Sequence, residues 1–262
     1  MKEVESKKVA LVLGSGGARG LAHIGAIEAL EERGYTITSI AGCSMGSIIA
    51  GMYAAGQIKQ AKEWFLSVDK QMILRMMDIN LLSHNSLVKG EKIIKELQTI
   101  VPDQPIEQLP IPCAIVATDV RSTEEVVFRT GSLFQAVRAS ISIPLFFEPV
   151  QMGDKLLIDG GILDPLPLHV VPRTEGDILV AADISGKDGI PMEKKMNFVQ
   201  MLDRMSDMQI QQNTMLSLRL TPPDVLASMR QYAYNTFDFD KAEEIIAEGY
   251  RIMNEALDRY ET

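Results

Sequence analysis

Cysteine and histidine are scarce in this sequence, and their scarcity excludes several kinds of protein. The 262 residues include two cysteines, Cys43 and Cys113, and three histidines. Two separated cysteines do not make a disulfide framework, which favours a reducing compartment. The histidines are isolated and the cysteines lie far apart, without the close spacing of a zinc site. We therefore expect no metal and no cofactor.

Excess positive charge and long apolar runs are lacking as well. The chain has 26 lysines and arginines against 35 aspartates and glutamates, a formal charge of −9. This balance argues against nucleic acid as a partner and gives no attraction to anionic membranes. The apolar runs, such as residues 48–56, are far shorter than the ~18 residues of a membrane-spanning helix. Residues 1–8 are charged and contain no signal-peptide core. We expect a cytoplasmic, soluble chain that touches lipid peripherally at most.

What the sequence does contain is a series of apolar strands that alternate with helices. Residues 9–13, 111–119 and 177–183 predict buried strands, and residues 125–128 predict an extended piece between them. No repeat, low-complexity tract or linker interrupts the chain. The pattern predicts a three-layer α/β/α fold with a central, mostly parallel sheet, built as a single domain over residues 1–262.

A short glycine-bounded turn, Gly42-Cys43-Ser44-Met45-Gly46, separates an apolar strand from a helical run. The pattern Gly-x-Ser-x-Gly is that of a nucleophile elbow, which holds a serine hydroxyl on a strained strand-to-helix turn. Glycines on both sides let the strand and the helix approach each other closely. Taken alone, the pattern fits an ordinary strand-to-helix turn equally well.

A glycine-rich loop lies between the first predicted strand and a helix predicted over residues 21–33. Consecutive backbone N–H groups in such a loop suit either a phosphate or a developing oxyanion. In frames that start at Gly14, Arg19 occupies a glycine position of both the dinucleotide motif and the P-loop motif. Nucleotide binding is therefore the weaker alternative. The loop consists of Gly14, Ser15, Gly16, Gly17, Ala18, Arg19 and Gly20.

A carboxylate ends the apolar run at residues 156–158. Asp159 is followed by Gly160 and Gly161, and an Asp-Gly pair taken alone is most often a turn former that bonds its own backbone. An aspartate at a strand end can also reach a site built from loops. Asp154 and Asp164, which flank this turn, are expected to be solvated turn residues.

Together, the loop at residues 14–20, the elbow at 42–46 and the Asp-Gly-Gly turn at 159–161 resemble the patatin-like phospholipase family, most closely its short bacterial members. Their order and wide spacing match the family. Cys43 departs from the pattern, since a small or hydroxyl residue is expected there, and Ser15 stands where plant members carry glycine. Further similar segments are residues 21–25, 138–144 and 238–242.

The resemblance implies a serine acyl hydrolase of the lipase, phospholipase or esterase type, acting on lipid or other carboxylic esters. It implies a catalytic dyad of Ser44 and Asp159, with an oxyanion hole at Gly16 and Gly17. An acyltransferase that uses the same acyl-serine and a non-catalytic protein that binds lipid or a partner stay open as alternatives. The sequence does not indicate the oligomeric state. Residues expected to support the loop are Gly14, Ser15, Arg19 and Gly20, and Arg19 is expected to bond backbone carbonyls.

The positions of the histidines test the dyad independently. A Ser-Asp-His enzyme of the α/β-hydrolase type needs a histidine after its acid, and of His23, His84 and His169 only His169 follows Asp159. His169 lies in an apolar stretch, where a packed or surface histidine is expected. We expect His23, which follows the glycine-rich loop, to be buried and hydrogen-bonded, in a position to orient that loop.

Two stretches rich in methionine and other apolar residues are candidates for substrate contacts, because methionine adapts to irregular acyl chains. For the first, residues 64–77, acyl-chain contact and plain packing stay open. The second is a helix predicted over residues 197–218, on which Met201, Met205 and Met208 have the spacing of a buried helix face. We expect this second group to pack.

Overall fold

A central sheet organises the part of the chain that this computed structural model describes, residues 7–76, 88–186 and 197–262. Its eight strands are, in chain order, β1 (Lys7–Leu13), β2 (Tyr35–Cys43), β3 (Cys113–Asp119), β4 (Glu124–Phe128), β5 (Val150–Met152), β6 (Lys155–Asp159), β7 (Ile178–Gly186) and β8 (Val225–Arg230). Their spatial order is β5-β6-β3-β2-β1-β7-β8, with β4 also paired to β3.

Strand direction agrees with the sequence prediction. The strands β8, β7, β1, β2 and β3 run parallel to one another. The strands β4 and β6 run antiparallel to β3, and β5 runs antiparallel to β6. The predicted α/β fold with a mostly parallel sheet is confirmed. The sequence pattern did not predict the antiparallel edge.

Helices connect the strands and cover the sheet. In chain order they are α1 (Ala22–Glu32), α2 (Met45–Ala54), α3 (Ile58–Ser67), α4 (Lys70–Met76), α5 (Glu91–Ile100), α6 (Leu133–Ser140), α7 (Phe198–Leu220) and α8 (Ala242–Glu261). The helix predicted from residue 21 begins at Ala22, because residues 17–21 form a 3₁₀ turn. None of the helices in the described ranges combines the length and the apolar character needed to cross a bilayer.

The strand β1 divides the core into two parts. Val9, Leu11 and Leu13 face the larger apolar cluster, which includes residues of α1, α2, α6 and α8. Ala10 and Val12 face a smaller cluster on the other side of the sheet. A strand buried on both faces has a continuous apolar sequence, as parallel strands do. The smaller cluster is covered mainly by the turn-containing segment 166–171, with a contribution from α7.

The helices α1 and α8 approach each other so closely that both need glycine at the contact. A Cβ atom on Gly25 would lie 1.9 Å from the carbonyl oxygen of Ile246. A Cβ atom on Gly249 would likewise lie 1.9 Å from the carbonyl oxygen of Ala22. Since α1 directly follows the glycine-rich loop, α8 helps to fix the position of that loop.

Gly249→Ala should lower the free energy of unfolding by about 1–3 kcal/mol, because an added methyl group forces two packed helices apart. Urea denaturation followed by circular dichroism measures the change. Ala247→Ser is the control, since it adds one heavy atom at an exposed position of the same helix, and it should change stability by less than about 0.5 kcal/mol. Equal stability of the two variants would contradict the close helix contact.

Candidate active site

Strand register brings the three sequence motifs together. Leu13, the last residue of β1, pairs with Gly42 near the end of β2, so the glycine-rich loop lies beside the elbow. The carboxyl ends of parallel strands are where α/β sheets bind ligands. Cys43 pairs with Val116 on β3, and the next residue of β3, Ala117, pairs with Asp159 on β6. Ser44 and Asp159 are therefore held at the same level of the sheet.

Ser44 occupies the predicted strand-to-helix turn. Its backbone has φ 54° and ψ −124°, between the end of β2 and the start of α2. A positive φ on a residue with a side chain is strained, and such strain concentrates at functional sites. A Cβ atom on Gly42 would lie 2.3 Å from the carbonyl oxygen of Gly46, and one on Gly46 would lie 2.3 Å from that of Leu13. Only glycine fits at these two positions.

The backbone of Ser44 is held by two other serines. Its N–H donates to Ser140 Oγ at 2.8 Å, and its carbonyl accepts a 2.6 Å hydrogen bond from Ser47 Oγ. Ser140 is the last residue of α6 and is fully buried. Sequence reasoning assigned Ser140 no role, because nothing in its local pattern distinguishes it from other serines.

The carboxylate of Asp159 contacts the hydroxyl of Ser44 directly. Ser44 Oγ donates to Asp159 Oδ2 at 2.6 Å, and the N–H of Gly161 donates to Oδ1 at 2.8 Å. Both Ser44 and Asp159 are buried, with 3% and 5% of their surface exposed. Asp159 therefore forms the turn that an Asp-Gly pair predicts and also contacts the serine.

Burial changes the acidity of Asp159. It raises the pKa of the carboxyl group from 3.8 to about 6, whereas the hydrogen bonds from Ser44 and Gly161 oppose this shift. A carboxyl group with this pKa is ionised at neutral pH. It is also a stronger base than a solvated aspartate, which suits it to take a proton.

The glycine-rich loop presents two backbone N–H groups beside Ser44. Neither Gly16 nor Gly17 has a hydrogen-bond partner for its N–H within the described part of the chain. Gly17 has φ 57°, and a Cβ atom there would lie 2.6 Å from Thr236 Cγ2. The other N–H groups of the loop donate to carbonyls: Gly14 to Ala182 at 3.0 Å, Ser15 to Pro165 at 2.8 Å and Ala18 to Thr236 at 2.8 Å.

Arg19 braces the loop from within the protein. Its Nε donates to the carbonyl of Ile184 and its Nη1 to the carbonyl of Tyr234, each at 3.0 Å. The residue is buried, with 6% of its surface exposed. This is the carbonyl-bonding role that the sequence predicts. Gly20, next in the chain, lies against Met45, where a Cβ atom would come within 2.2 Å of Met45 Cγ.

His23 supports the same loop from α1. Its Nε2 lies 2.8 Å from the carbonyl oxygen of Gly14, and the residue is fully buried. Burial lowers the pKa of His23 to about 4, whereas the hydrogen bond to Gly14 opposes the shift. The imidazole is therefore neutral near pH 7, with Nε2–H as the donor. The structure agrees with the expectation of a buried, hydrogen-bonded histidine.

His169 lies apart from Ser44 and Asp159. More than half of its side chain is exposed, and its Nε2 is 3.1 Å from Glu125 Oε2. Within the described residues, no hydrogen bond connects it to Ser44 or Asp159. His84 lies outside the described residues.

The expectation that Asp164 is solvated is wrong. The residue is 5% exposed, and its Oδ1 accepts a 3.3 Å hydrogen bond from Ser217 on α7. Burial, reinforced by the neighbouring carboxylate of Glu125, raises the pKa of Asp164 well above its usual range. Sequence reasoning missed this because the burial comes from segments far away in the chain. Asp154 is exposed, as expected.

Two clefts meet at Ser44 and Gly17. The first is lined mainly by apolar side chains and encloses about 760 Å³ including its open mouth. Trp64, Phe65 and Ile73 line it, so part of the first apolar stretch faces this cleft; Met77 lies outside the described residues. The second cleft has polar and charged lining residues, among them Arg19, Asp207, Gln231 and Asn235.

Three of the four methionines of α7 are not packed as expected, whereas Met215 is half-buried. Met201, Met205 and Met208 are 45%, 59% and 52% exposed. Their spacing is that of one helix face, but in the structure no other element covers this face within the described residues. Sequence periodicity identifies a face and does not show which neighbour covers it.

Comparison with known sequences identifies relatives of this chain. The family model described as patatin-like phospholipase matches residues 11–172. Over 186 residues the chain is 45% identical to an uncharacterized NTE family protein of Mycobacterium tuberculosis, covering 71% of this chain and 51% of the relative. Over 187 residues it is 33% identical to patatin-like phospholipase domain-containing protein 6 of Homo sapiens, covering 69% of this chain and 14% of the relative. The chain spans about half the length of the first of these curated relatives and less of the second.

Solved structures share the fold. VipD from Legionella pneumophila superposes with a TM-score of 0.51 at 18% identity, covering 98% of this chain and 67% of that one. The heterodimeric ExoU-SpcU complex of the type III secretion system of Pseudomonas aeruginosa gives a TM-score of 0.52 at 15% identity, covering 97% of this chain and 52% of the matched one. At these identities the similarity concerns the fold alone.

Replacing His23 tests its buried, neutral state. The pKa of about 4 in the folded protein lies below the ordinary 6.5. The unfolded chain therefore takes up the proton first as the pH falls, and the folded state loses about 2 kcal/mol between pH 7 and pH 5. His23→Gln keeps an N–H donor for Gly14 but does not titrate, so the stability difference between wild type and variant should change by this amount.

Urea denaturation at several pH values measures this difference. Asp159 contributes equally to the pH dependence of stability in wild type and in His23→Gln, so its contribution cancels in the difference. Ala247→Ser, at an exposed position and without a titratable side chain, is the control and should leave the pH dependence unchanged. Parallel stability curves for wild type and His23→Gln would contradict a neutral, buried His23.

Proposed function

The chain belongs to the patatin-like phospholipase family, and on that basis we propose that it is a serine acyl hydrolase that cleaves carboxylic esters of lipids. The observation that carries the proposal is the 2.6 Å hydrogen bond from Ser44 Oγ to Asp159 Oδ2. A serine hydroxyl whose proton points at a buried carboxylate of raised pKa is prepared to become a nucleophile. No histidine stands between the two groups.

The reaction proceeds through an acyl-serine. Ser44 Oγ attacks the ester carbonyl carbon while its proton passes to Asp159 Oδ2. The carbonyl oxygen becomes negative and is held by the N–H groups of Gly16 and Gly17. The tetrahedral intermediate then collapses, and the alcohol leaves with the proton from Asp159. In the second half, water attacks the acyl-serine, Asp159 takes the water's proton and returns it to Ser44, and the fatty acid is released.

The two clefts suit an amphiphilic ester. The apolar cleft, with Trp64, Phe65 and Ile73 in its wall, would take the acyl chain, because burial of its methylene groups is favourable. The polar cleft, bordered by Asp207 and Asn235, would take the alcohol side of the ester. Ser44 lies where the clefts meet, which is the position of the bond to be cleaved.

We also propose that residues 1–262 act as a single domain. Contacts from the C-terminal part of the chain support parts of the site that come early in the sequence. The carbonyls of Tyr234 and Thr236 hold the glycine-rich loop, and α8 packs on α1. The loop would lose these contacts without the C-terminal part.

Ser44→Ala and Asp159→Asn should each reduce kcat on a soluble short-chain ester by roughly three orders of magnitude or more, because both groups act in one proton transfer. The kcat of the double variant should be similar to that of either single variant, since the two losses are not additive. Initial-rate kinetics measure kcat, and circular dichroism verifies the fold.

His169→Ala is the matched control and should keep most of the activity. If His169→Ala were folded and as inactive as Ser44→Ala, the catalytic group would be a triad that includes His169 and not a dyad. A fluorophosphonate probe should label the wild type and not Ser44→Ala. The fatty acids released from a lipid panel then identify the substrate class.

The pH profile of hydrolysis should show one ionisation. Asp159 has to be ionised to accept the proton, and burial raises its pKa to about 6. Below that value kcat/KM should fall about tenfold per pH unit, and above it kcat/KM should reach a plateau. His23 stays neutral down to a pH of about 4 and adds no second step near pH 6. A midpoint near 4 on a soluble ester would contradict a desolvated Asp159.

We further propose peripheral contact with a lipid surface through one face of α7. Met201, Met205 and Met208 form a row of exposed apolar side chains, and Phe198, 77% exposed, extends it. Ser206 and Asp207, between these methionines, line the polar cleft, so the row runs beside its opening. An exposed apolar face of this kind marks an interaction surface. Since the chain carries a formal charge of −9, apolar contact and not charge would hold it on lipid.

The double variant Met205→Ser/Met208→Ser should bind neutral phosphatidylcholine vesicles several-fold more weakly than the wild type, because two apolar side chains leave the contact. Sedimentation with vesicles measures the bound fraction. Raising the salt from about 0.1 M to about 0.5 M should not release the wild type, since screening weakens only charge contacts. Leu66→Ser, an exposed apolar site on α3, is the control and should bind like the wild type. Equal loss in both variants would contradict a specific α7 contact.

A further inference from the structure

Three metal-ligating side chains lie together beyond the turn that carries Asp159. Glu125 is on β4, Asp164 follows the short 3₁₀ turn Gly160–Ile162, and His169 is in the segment that covers the second face of the sheet. Each contributes one ligand atom, and the three atoms lie within 4.8 Å of one another. These residues take no part in the proposed ester hydrolysis.

The carboxylate of Asp164 has an oxygen that points into this cluster without a hydrogen-bond donor. Its side chain is 8% exposed, and within the described residues Oδ2 has no hydrogen-bond partner. Oε1 of Glu125 is also buried without a partner in that part of the chain. Removing a carboxylate oxygen from water without giving it a donor or a cation is costly. The side chains of Asp164 and Glu125 lie within hydrogen-bonding reach of each other, so their unpartnered oxygens call for a shared proton or a cation between them.

The orientation of His169 strengthens this argument. Its Nε2 lies 3.1 Å from Glu125 Oε2, so Nε2–H donates to that carboxylate. In the neutral imidazole the other nitrogen, Nδ1, then carries a lone pair. Nδ1 lies 3.6 Å from Asp164 Oδ2, which is too long for a hydrogen bond. A nitrogen lone pair and a carboxylate oxygen thus face each other across a gap that a cation would fill.

The donor set indicates the kind of cation. One imidazole nitrogen with carboxylate oxygens suits zinc and related first-row divalent ions, whereas calcium and magnesium prefer a larger set of oxygens alone. In a tetrahedral zinc site with bonds of about 2.0 Å, two ligand atoms lie roughly 3.3 Å apart. The 3.6 Å between Asp164 Oδ2 and His169 Nδ1 is close to that separation. Two carboxylates with one divalent ion also leave no net charge.

We propose that Glu125, Asp164 and His169 form a binding site for one first-row divalent cation of the zinc type. The cation joins β4 to the segment that follows the Asp159 turn. It is structural, because the ligands contact neither Ser44 nor Asp159. The histidines are isolated in the sequence, but the fold brings His169 to a carboxylate 44 residues away.

Calorimetric titration of the untagged, full-length, EDTA-treated and dialysed protein with Zn²⁺ tests the proposal. The expected result is saturable binding of one equivalent. Thermal unfolding with a saturating excess of Zn²⁺ should show a midpoint raised by roughly 5 °C, since a ligand that binds only the folded state stabilises it. Calcium at the same concentration should leave the midpoint unchanged. Absence of one-equivalent binding would overturn the proposal and mean that a proton shared by Asp164 and Glu125 satisfies the cluster.

Single-residue variants locate the binding. His169→Ala and Glu125→Gln should each weaken Zn²⁺ binding by at least about tenfold and remove the thermal shift. His169→Ala should disturb the fold less than Glu125→Gln, because the His169 side chain is exposed. Glu124→Gln is the matched control, since Glu124 is the exposed neighbour of Glu125 on the same strand, and it should bind like the wild type. Unchanged binding in His169→Ala would place the ion elsewhere and overturn the proposal. Because none of these readouts measures ester hydrolysis, failure of the cation site and failure of the proposed function are distinguishable.

Discussion

The hydrogen bond between Ser44 and Asp159 requires two segments 115 residues apart to reach the same level of one sheet. The strand β3 lies between β2, which ends before Ser44, and β6, which ends at Asp159. Because β6 runs antiparallel to β3, the chain delivers the carboxylate from the opposite direction to the serine. The turn after β6 lies close against β3, since a Cβ atom on Gly160 would lie 2.5 Å from the carbonyl oxygen of Val116. The antiparallel edge of the sheet is thus the part of the fold that completes the site.

Holding a carboxylate at this position costs folding free energy. A rise in the pKa of Asp159 from 3.8 to about 6 corresponds to about 3 kcal/mol. Between these two values the folded state binds more protons than the unfolded chain, so this contribution to stability falls as the pH rises. An ordinary ion-paired carboxylate behaves in the opposite way. Close packing elsewhere, as between α1 and α8 at Gly25 and Gly249, offsets such a cost. The same desolvation that destabilises the fold makes Asp159 a stronger base.

The sequence predicts those parts of the site that are local in the chain. The strained turn at Ser44 and the glycine-rich loop are encoded within five to seven residues, because glycine spacing and strand ends determine them. Contacts between distant segments have no such local signal. Neither Ser140, which holds the backbone of Ser44, nor the burial of Asp164 could be predicted, because both depend on helices that arrive from elsewhere. The expectation that Met201, Met205 and Met208 are packed was wrong for a related reason. Periodicity defines a helix face, and only the tertiary structure decides whether another element covers it.

The turn from Asp159 to Asp164 places two buried carboxyl groups five residues apart in one short segment. The two differ in the hydrogen-bond donors that their oxygens have. Asp159 has a donor for each oxygen, from Ser44 and from the N–H of Gly161. Asp164 Oδ1 accepts a 3.3 Å hydrogen bond from Ser217, whereas Oδ2 has no hydrogen-bond partner within the described residues. The two are coupled, since the N–H of Asp164 donates to the carbonyl of Gly160 at 2.9 Å, directly beside Asp159. A cation on the Asp164 side would therefore fix the backbone that aims the Asp159 carboxylate without touching the reacting atoms, and the stability of the turn could change while its chemistry stays the same.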